Sequence, residues 1–394
     1  MGKGRGPMGC DVVIVGGGVM GAAAAWWLTR LSPGLSVTVL ERDPSHARAA
    51  TALSVASIRQ QFTNPVNVAV SRFGLEVIRD FPTLTGGPDL GLRENGYLFL
   101  AGNAAVAERM RAAVAMQRGL GAATELLDPA MLATRFPWLA LEDVVLGSFG
   151  PRGEGWFDNM GLLAGFRDGA RAQGAVWRRA EAKALCRAGE RITGVQLTCG
   201  EAVMAGAVVL AAGTQVADLL ASVGEPWPVE ARKRTVFLID APAARHPDAP
   251  LLVDHSGFYL RPEGHHWIAA TVPDHDPPAD AADFEPCLEE FEALVWPRLW
   301  ARAPEFAAVK VLRAWAGHYD FNRLDQNAIV GPHPALPGLH VLSGFSGHGL
   351  QQAPAMGRGL AEMLLTGRCQ TLDLTELGVA RILEGRPFPE AAVV

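Results

Sequence analysis

Cysteine is scarce in this chain of 394 residues, and the five present, Cys10, Cys186, Cys199, Cys287 and Cys369, form no C-x-x-C pair. So scattered and odd a set offers no metal cluster and fits a reducing compartment. Blocks of basic residues are missing as well, and the net charge is −6, which argues against a nucleic-acid partner. Every long apolar run is broken by glycine or charge, so no transmembrane helix is expected. The first ten residues are basic and glycine-rich but too short for a signal peptide. The expected location is cytoplasmic, with peripheral membrane association as the alternative. Tandem repeats and low-complexity tracts are missing too. What remains is 49% hydrophobic and 19% charged, a balance that suits a globular enzyme and is too apolar for disorder. The length allows two or three domains.

The chain is organised around residues 11–43. Val12 to Val15 form a β-branched apolar run that reads as a buried parallel strand. Gly16, Gly18 and Gly21 follow with G-x-G-x-x-G spacing. Gly16 permits a tight turn, Gly18 lets the backbone approach a pyrophosphate, and Gly21 lets the next helix sit close on the strand. That helix, from about Val19 to about Leu31, would aim its first N–H groups at the anion, with Val15, Val19 and Met20 beside it. A second strand, Ser36 to Leu40, ends at Glu41. A carboxylate there can accept from both ribose hydroxyls and would repel the 2′-phosphate of NADP. The rival reading is a glycine-rich turn in an unrelated α/β fold. Strand, helix and acid in the right order favour a dinucleotide.

Three later stretches would add contacts. The loop after Glu41 is rich in small residues, among them Ala50, Thr51 and Ser54, and carries Arg42, Arg48 and Arg59. Small side chains suit a segment lying against a flat cofactor. Ala207 to Thr214 reads as a buried strand ending in a small-residue turn at Ala212 and Gly213. Leu339 to Pro354 reads as a strand, a glycine-rich turn (Gly344, Phe345, Gly347, His348, Gly349) and a helix from Leu350 and Gln351 to about Leu365, closed by Gly367. This second helix N-terminus suits the pyrimidine edge of a flavin, which becomes anionic on reduction. Nicotinamide has no such need.

Between these stretches, spacing predicts a helix from about Asn67 to Phe81 with Pro82 as its stop. It predicts a strand at Gly96–Leu100, a helix at Ala104–Leu120, and a helix opened by Asp128 and Pro129. A helix from Met160 to Gln173 follows, then strands near 192–199 and 202–209. Residues 226–320 lack the βαβ rhythm. They carry strand-like runs at Thr235–Ile239, Gly257–Leu260, Trp267–Thr271 and Lys310–Gly317, and a helix near Phe284–Leu299. The expected division is a discontinuous cofactor domain (1–87, 151–225 and 321–394) and a substrate domain (88–150 and 226–320) built on a mixed antiparallel sheet.

The order of these parts resembles the D-amino-acid oxidase and sarcosine oxidase superfamily over nearly the whole chain. Ile58-Arg59-Gln60-Gln61-Phe62, Trp315 to Asp320, Asp325-Gln326-Asn327, Gly331 to Pro334 and Gly344 to Pro354 narrow the likeness. They resemble the subgroup of FAD-dependent oxidoreductase-domain proteins linked to respiratory complex I assembly, and its bacterial relatives. The resemblance implies an α/β chain with an α+β second domain: a Rossmann-type FAD-binding domain beneath a substrate domain. It implies FAD as cofactor and oxidation of a C–N bond in an amino acid or N-methylated amine by hydride transfer to flavin N5. The partners are then a small amine or amino-acid substrate, an unidentified electron acceptor and, in the subgroup, a respiratory-complex protein.

Site residues follow by position. Arg59 falls where sarcosine oxidases place a carboxylate-binding arginine, Tyr259 resembles a substrate-side tyrosine, and His348 would lie by the flavin edge. Gln351 stands where those enzymes carry a lysine for the substrate carboxylate. Residues 264–268, which the resemblance aligns with their oxygen-activating strand, hold no lysine. That favours a dehydrogenase or slow oxidase, with His265 or His266 as partial substitutes. No cysteine occurs in Trp315–Asp320 to attach the flavin, so FAD is expected to be non-covalent, with His46 and His318 as the alternative attachment points. The rival functions are a flavoprotein acting mainly in respiratory-complex assembly, and NAD(P)H-dependent hydroxylation.

Overall fold

The computed structural model describes residues 9–391. The expectation for the first ten residues falls mainly on positions 1–8, outside the described residues.

Gly9–Val15 is the middle of a parallel sheet. It pairs with Val37–Glu41 on one side and Ala202–Leu210 on the other. Val176–Arg179 and Leu339–Ser343 extend the sheet, also in parallel. Val12 to Val15 are 5% exposed or less, the burial that an unbroken β-branched run implies. A hairpin, Ala182–Ala188 with Arg191–Leu197, hangs from the long strand, and Ile329–Pro332 closes one edge antiparallel. Val176–Arg179 has no legible pattern because it is a half-exposed edge strand held by backbone pairing.

The helix Val19–Leu31 covers this sheet and packs on Asn159–Ala172 and Gly349–Thr366. Its Ala22 to Ala25 are 0% exposed. A Cβ on Gly357 would lie 2.8 Å from the Ala23 carbonyl carbon, so small residues set this close crossing. Trp27 Nε1 donates to the Pro354 carbonyl at 2.9 Å across it.

The second sheet has eight strands in the order Lys310–Asn322, Val229–Asp240, His266–Thr271, Phe258–Glu263, Leu251–Val253, Tyr97–Ala101, Leu146–Gly150, Glu125–Leu127. Neighbours are antiparallel except Leu251–Val253 and Tyr97–Ala101. Side chains alternate across it. Leu98, Phe237, Leu260 and Trp267 enter its own core, while Tyr97, Val236 and Tyr259 face the first domain's cavity.

Several boundaries differ from the sequence reading. The helix expected to stop at Pro82 is Pro65–Arg79, and Pro82 instead sits in the first turn of a short helix, Phe81–Thr85, where its missing N–H is harmless. The helix expected from Phe284 starts late, as a π-turn Phe291–Val295 running into Trp296–Arg302. Asp280 and Asp283 hold the chain before it in turns by accepting from Ala282 N and Glu285 N, and Asp side chains favour such turns over helix. Asp128 caps its helix as expected, accepting from Met131 N at 2.8 Å. Among the described residues no helix is long and apolar enough to cross a membrane.

Candidate functional site

A cavity of about 920 Å³ lies between the C-terminal ends of the parallel strands and the second sheet. That is the upper end for small-molecule sites, ~300–1,000 Å³. Gly16, at φ +100, turns the chain out of the first strand, and a Cβ there would lie 2.3 Å from the Ala211 carbonyl oxygen. A Cβ on Gly21 would lie 1.9 Å from the Gly16 oxygen, so this glycine brings helix and strand together and does not itself line the cavity. Gly18 differs: its Cβ would meet nothing nearer than Thr51 Oγ1 at 3.5 Å. Its bare face opens on the cavity.

The first helix has Gly18 as N-cap, no side-chain cap from that residue and no acid in its first turn. Its dipole and N–H groups thus suit an anion. Glu41 is held in place, Oε2 accepting from Gly17 N at 2.7 Å and Oε1 from Asp43 N at 2.8 Å. Each oxygen keeps a lone pair for a ribose hydroxyl. Val15, Val19, Met20, Arg42, Ala50, Thr51, Ser54, Ala212 and Gly213 also line the cavity. So do Phe345, Gly347, His348, Gly349, Leu350 and Gln351, at the N-terminus of the helix Gly349–Thr366, which has no side-chain cap. Gly344 does not line it. At φ +69 it shapes the turn, its N–H donating to Asp320 Oδ2 at 2.7 Å. Two helix N-termini and a fixed carboxylate, spaced by glycines, fit an extended dinucleotide.

Arg59 is 2% exposed and lines the same cavity. Its guanidinium donates to the Gln61 carbonyl and, at 2.9 Å, to His348 Nε2. That contact requires a neutral His348 with its proton on Nδ1. Phe62, Phe99 and Tyr97 surround the guanidinium at 4.1, 5.3 and 5.9 Å from their ring centres. Gln351, expected to replace a substrate-binding lysine, has a different task for its carbonyl oxygen. Its Oε1 accepts from Arg59 N at 2.9 Å and from Ser71 Oγ at 3.3 Å, which ties the arginine loop to the helix. Gly74 allows this, since a Cβ there would lie 2.5 Å from the Gln351 backbone oxygen. His265 and His266 do not line the cavity; they lie at the outer turn of a hairpin, where His266 Nδ1 is 3.7 Å from Asp240.

The sequence reading named Tyr259 but missed Tyr97, Tyr319 and Arg234. The chain has three tyrosines, and Tyr97, Tyr259 and Tyr319 all line this cavity. Their rarity was the available signal. Burial raises all three phenols, Tyr319 to about 12, so they stay protonated donors. Arg234 lines the cavity too, its charge met by Asp276 at 2.7 and 2.8 Å. Burial pushes Asp320 up to about 6.

Residues 11–363 match the family described as FAD dependent oxidoreductase (DAO). The chain belongs to that family. FAD is its cofactor, and the cradle described above has the groups to hold it. The chain is 40% identical, over 430 aligned positions, to FAD-dependent oxidoreductase domain-containing protein 1 of Bos taurus, covering 98% of this chain and 88% of the relative. It is 24% identical to sarcosine oxidase subunit beta of an Arthrobacter species, covering 92% and 89%. Among solved structures, L-proline dehydrogenase from P. horikoshii superposes with a TM-score of 0.85 at 25% identity, covering 97% of this chain and all of that one.

Proposed function

We propose that this FAD-dependent oxidoreductase oxidises the C–N bond of an amino acid or N-methylated amino acid, with bound FAD supplying the hydride acceptor. The observation that carries the reading is Arg59. A guanidinium is buried in the wall of the flavin cavity and backed by the neutral His348 ring. Its fork suits a substrate carboxylate. The names of relatives, sarcosine oxidase and L-proline dehydrogenase, support the same substrate class.

The chain's own groups then have defined tasks. Arg59 orients the carboxylate. The aromatic faces of Tyr97 and Tyr259 hold the apolar part of the substrate and exclude water, and the protonated phenols donate. The N-terminus of the helix Gly349–Thr366 stabilises negative charge at the cavity floor. Oxygen is not the favoured acceptor. Ile268 and Ala270 pack with Val236 in an apolar cluster, so the strand His266–Thr271 presents no cation there. Arg234 is neutralised by Asp276.

The test is an anaerobic flavin spectrum with sarcosine, dimethylglycine, proline, glycine and D-amino acids in turn. Bleaching by an amino acid and slow recovery in air are expected. A full flavin spectrum that no member of the series bleaches overturns the substrate class, and fast recovery in air overturns the choice of acceptor.

A further inference from the structure

We propose that Glu154 is the positioning residue of the Arg59 loop, and that its proton sets how tightly the loop holds a carboxylate ligand. This rests on the reading of Arg59 as the carboxylate grip. Glu154 is 1% exposed and lies in the turn after the strand Leu146–Gly150. Its Oε1 accepts from Gln60 N and its Oε2 from Gln61 Nε2, each at 2.7 Å. Gln61 is fixed on its other sides as well. Its Nε2 donates to the Tyr97 carbonyl at 2.9 Å, and its Oε1 accepts from Ser148 Oγ at 2.6 Å. The Gln61 backbone carbonyl is the acceptor for Arg59 Nη1. One residue therefore connects a buried carboxylate, through its side chain, to the guanidinium, through its backbone carbonyl. Gly150 keeps the room for it, since a Cβ there would lie 2.1 Å from Glu154 Oε2.

Burial pushes the Glu154 carboxyl up to about 7, against the pull of its two N–H donors and of Arg59. Ionised, it offsets part of the Arg59 charge. Protonated, it no longer does. A carboxylate bound on Arg59 repels the ionised form and so favours the protonated one. Affinity for a carboxylate therefore falls as pH rises through neutrality. Among the described residues the charged or titratable groups around the loop include Tyr97, Glu94, His348, Arg261 and Glu390, whose carboxylate accepts from Thr63 N at 2.9 Å at the far end of the loop. Burial keeps Tyr97 protonated. The Arg79 pair holds Glu94 below the usual carboxylate range. His348 accepts from Arg59, and Arg261 pairs with Glu263.

The experiment titrates flavin-loaded protein with acetate, and with acetamide as the uncharged control, following the flavin absorbance from about pH 6 to about pH 8. Wild-type affinity for acetate should fall roughly three- to tenfold over that range, and acetamide should show no slope. Glu154→Gln copies the protonated carboxyl. It should bind acetate without a pH slope, and more tightly than wild type at the upper end. A slope unchanged in Glu154→Gln overturns the proposal. Should that variant fail to fold, Glu154→Asp keeps a titrating group with a shorter reach and should displace the midpoint; an unmoved midpoint overturns the proposal equally. Acetate that binds Arg59→Ala as tightly as wild type overturns the Arg59 reading instead, whatever the slope.

Discussion

Gly18 and Gly21 belong to one motif, yet the structure predicts opposite failures for them. In Gly21→Ala the new methyl carbon would lie 1.9 Å from the Gly16 carbonyl oxygen. That atom is backbone, so strand and helix must separate. Overpacking of this kind costs about 1–3 kcal/mol, at the upper end here, offset by the roughly 1 kcal/mol that alanine gains over glycine inside a helix. The net expectation is a loss of about 1–2 kcal/mol in the apoprotein. In Gly18→Ala the nearest atom is 3.5 Å away, and φ −65 with ψ −175 suits any residue. The apoprotein should lose a few tenths to about 1 kcal/mol, from the poorer N-cap. Its methyl, however, fills the face that the pyrophosphate must approach. Loss of one charge-assisted hydrogen bond, about 1.5–3 kcal/mol, should lower FAD affinity roughly ten- to hundredfold. Urea unfolding of the apoproteins and fluorescence titration with FAD separate the two effects. Wild-type FAD affinity in Gly18→Ala, or unchanged apoprotein stability in Gly21→Ala, would refute the reasoning.

Arg59→Ala should weaken a carboxylate ligand by about 2–4 kcal/mol, read by titrating a carboxylate against its amide isostere. Gln351→Leu leaves the buried Arg59 N–H without its acceptor and should cost about 1–3 kcal/mol in stability, with KM raised more than kcat is lowered. Arg381 and Asp325 form an ion pair with side chains 1% and 0% exposed, so Arg381→Leu should cost about 3–5 kcal/mol, measured by urea unfolding. Burial lowers His340 to about 4. The unfolded chain thus takes up a proton there before the folded one does, and stability present above about pH 6.5 is lost as pH falls towards the folded value. His340→Gln should lose roughly 3 kcal/mol less than wild type between neutral pH and about pH 4; parallel losses would contradict this.

The sequence by itself determined the cofactor frame. The run Val12–Val15, the three glycines and Glu41 act within one strand–helix–strand unit, where spacing along the chain equals spacing in space. Asp128 and Gly367 mark helix ends for the same reason, because a cap works within one turn. The substrate end was legible residue by residue and not as an arrangement. Arg59 and His348 stand out in the chain, but their contact spans 289 positions, and Gln351 reads as a substrate group until its bond to Arg59 N is seen. Glu154 had no signal at all: it is one of 41 acidic residues, in a turn between short strands. Only the tertiary structure decided that it lies beneath the arginine loop and that three scattered tyrosines share one cavity. The physical reason is that burial and long-range pairing set the charge and aim of these groups, and neither is a property of local spacing.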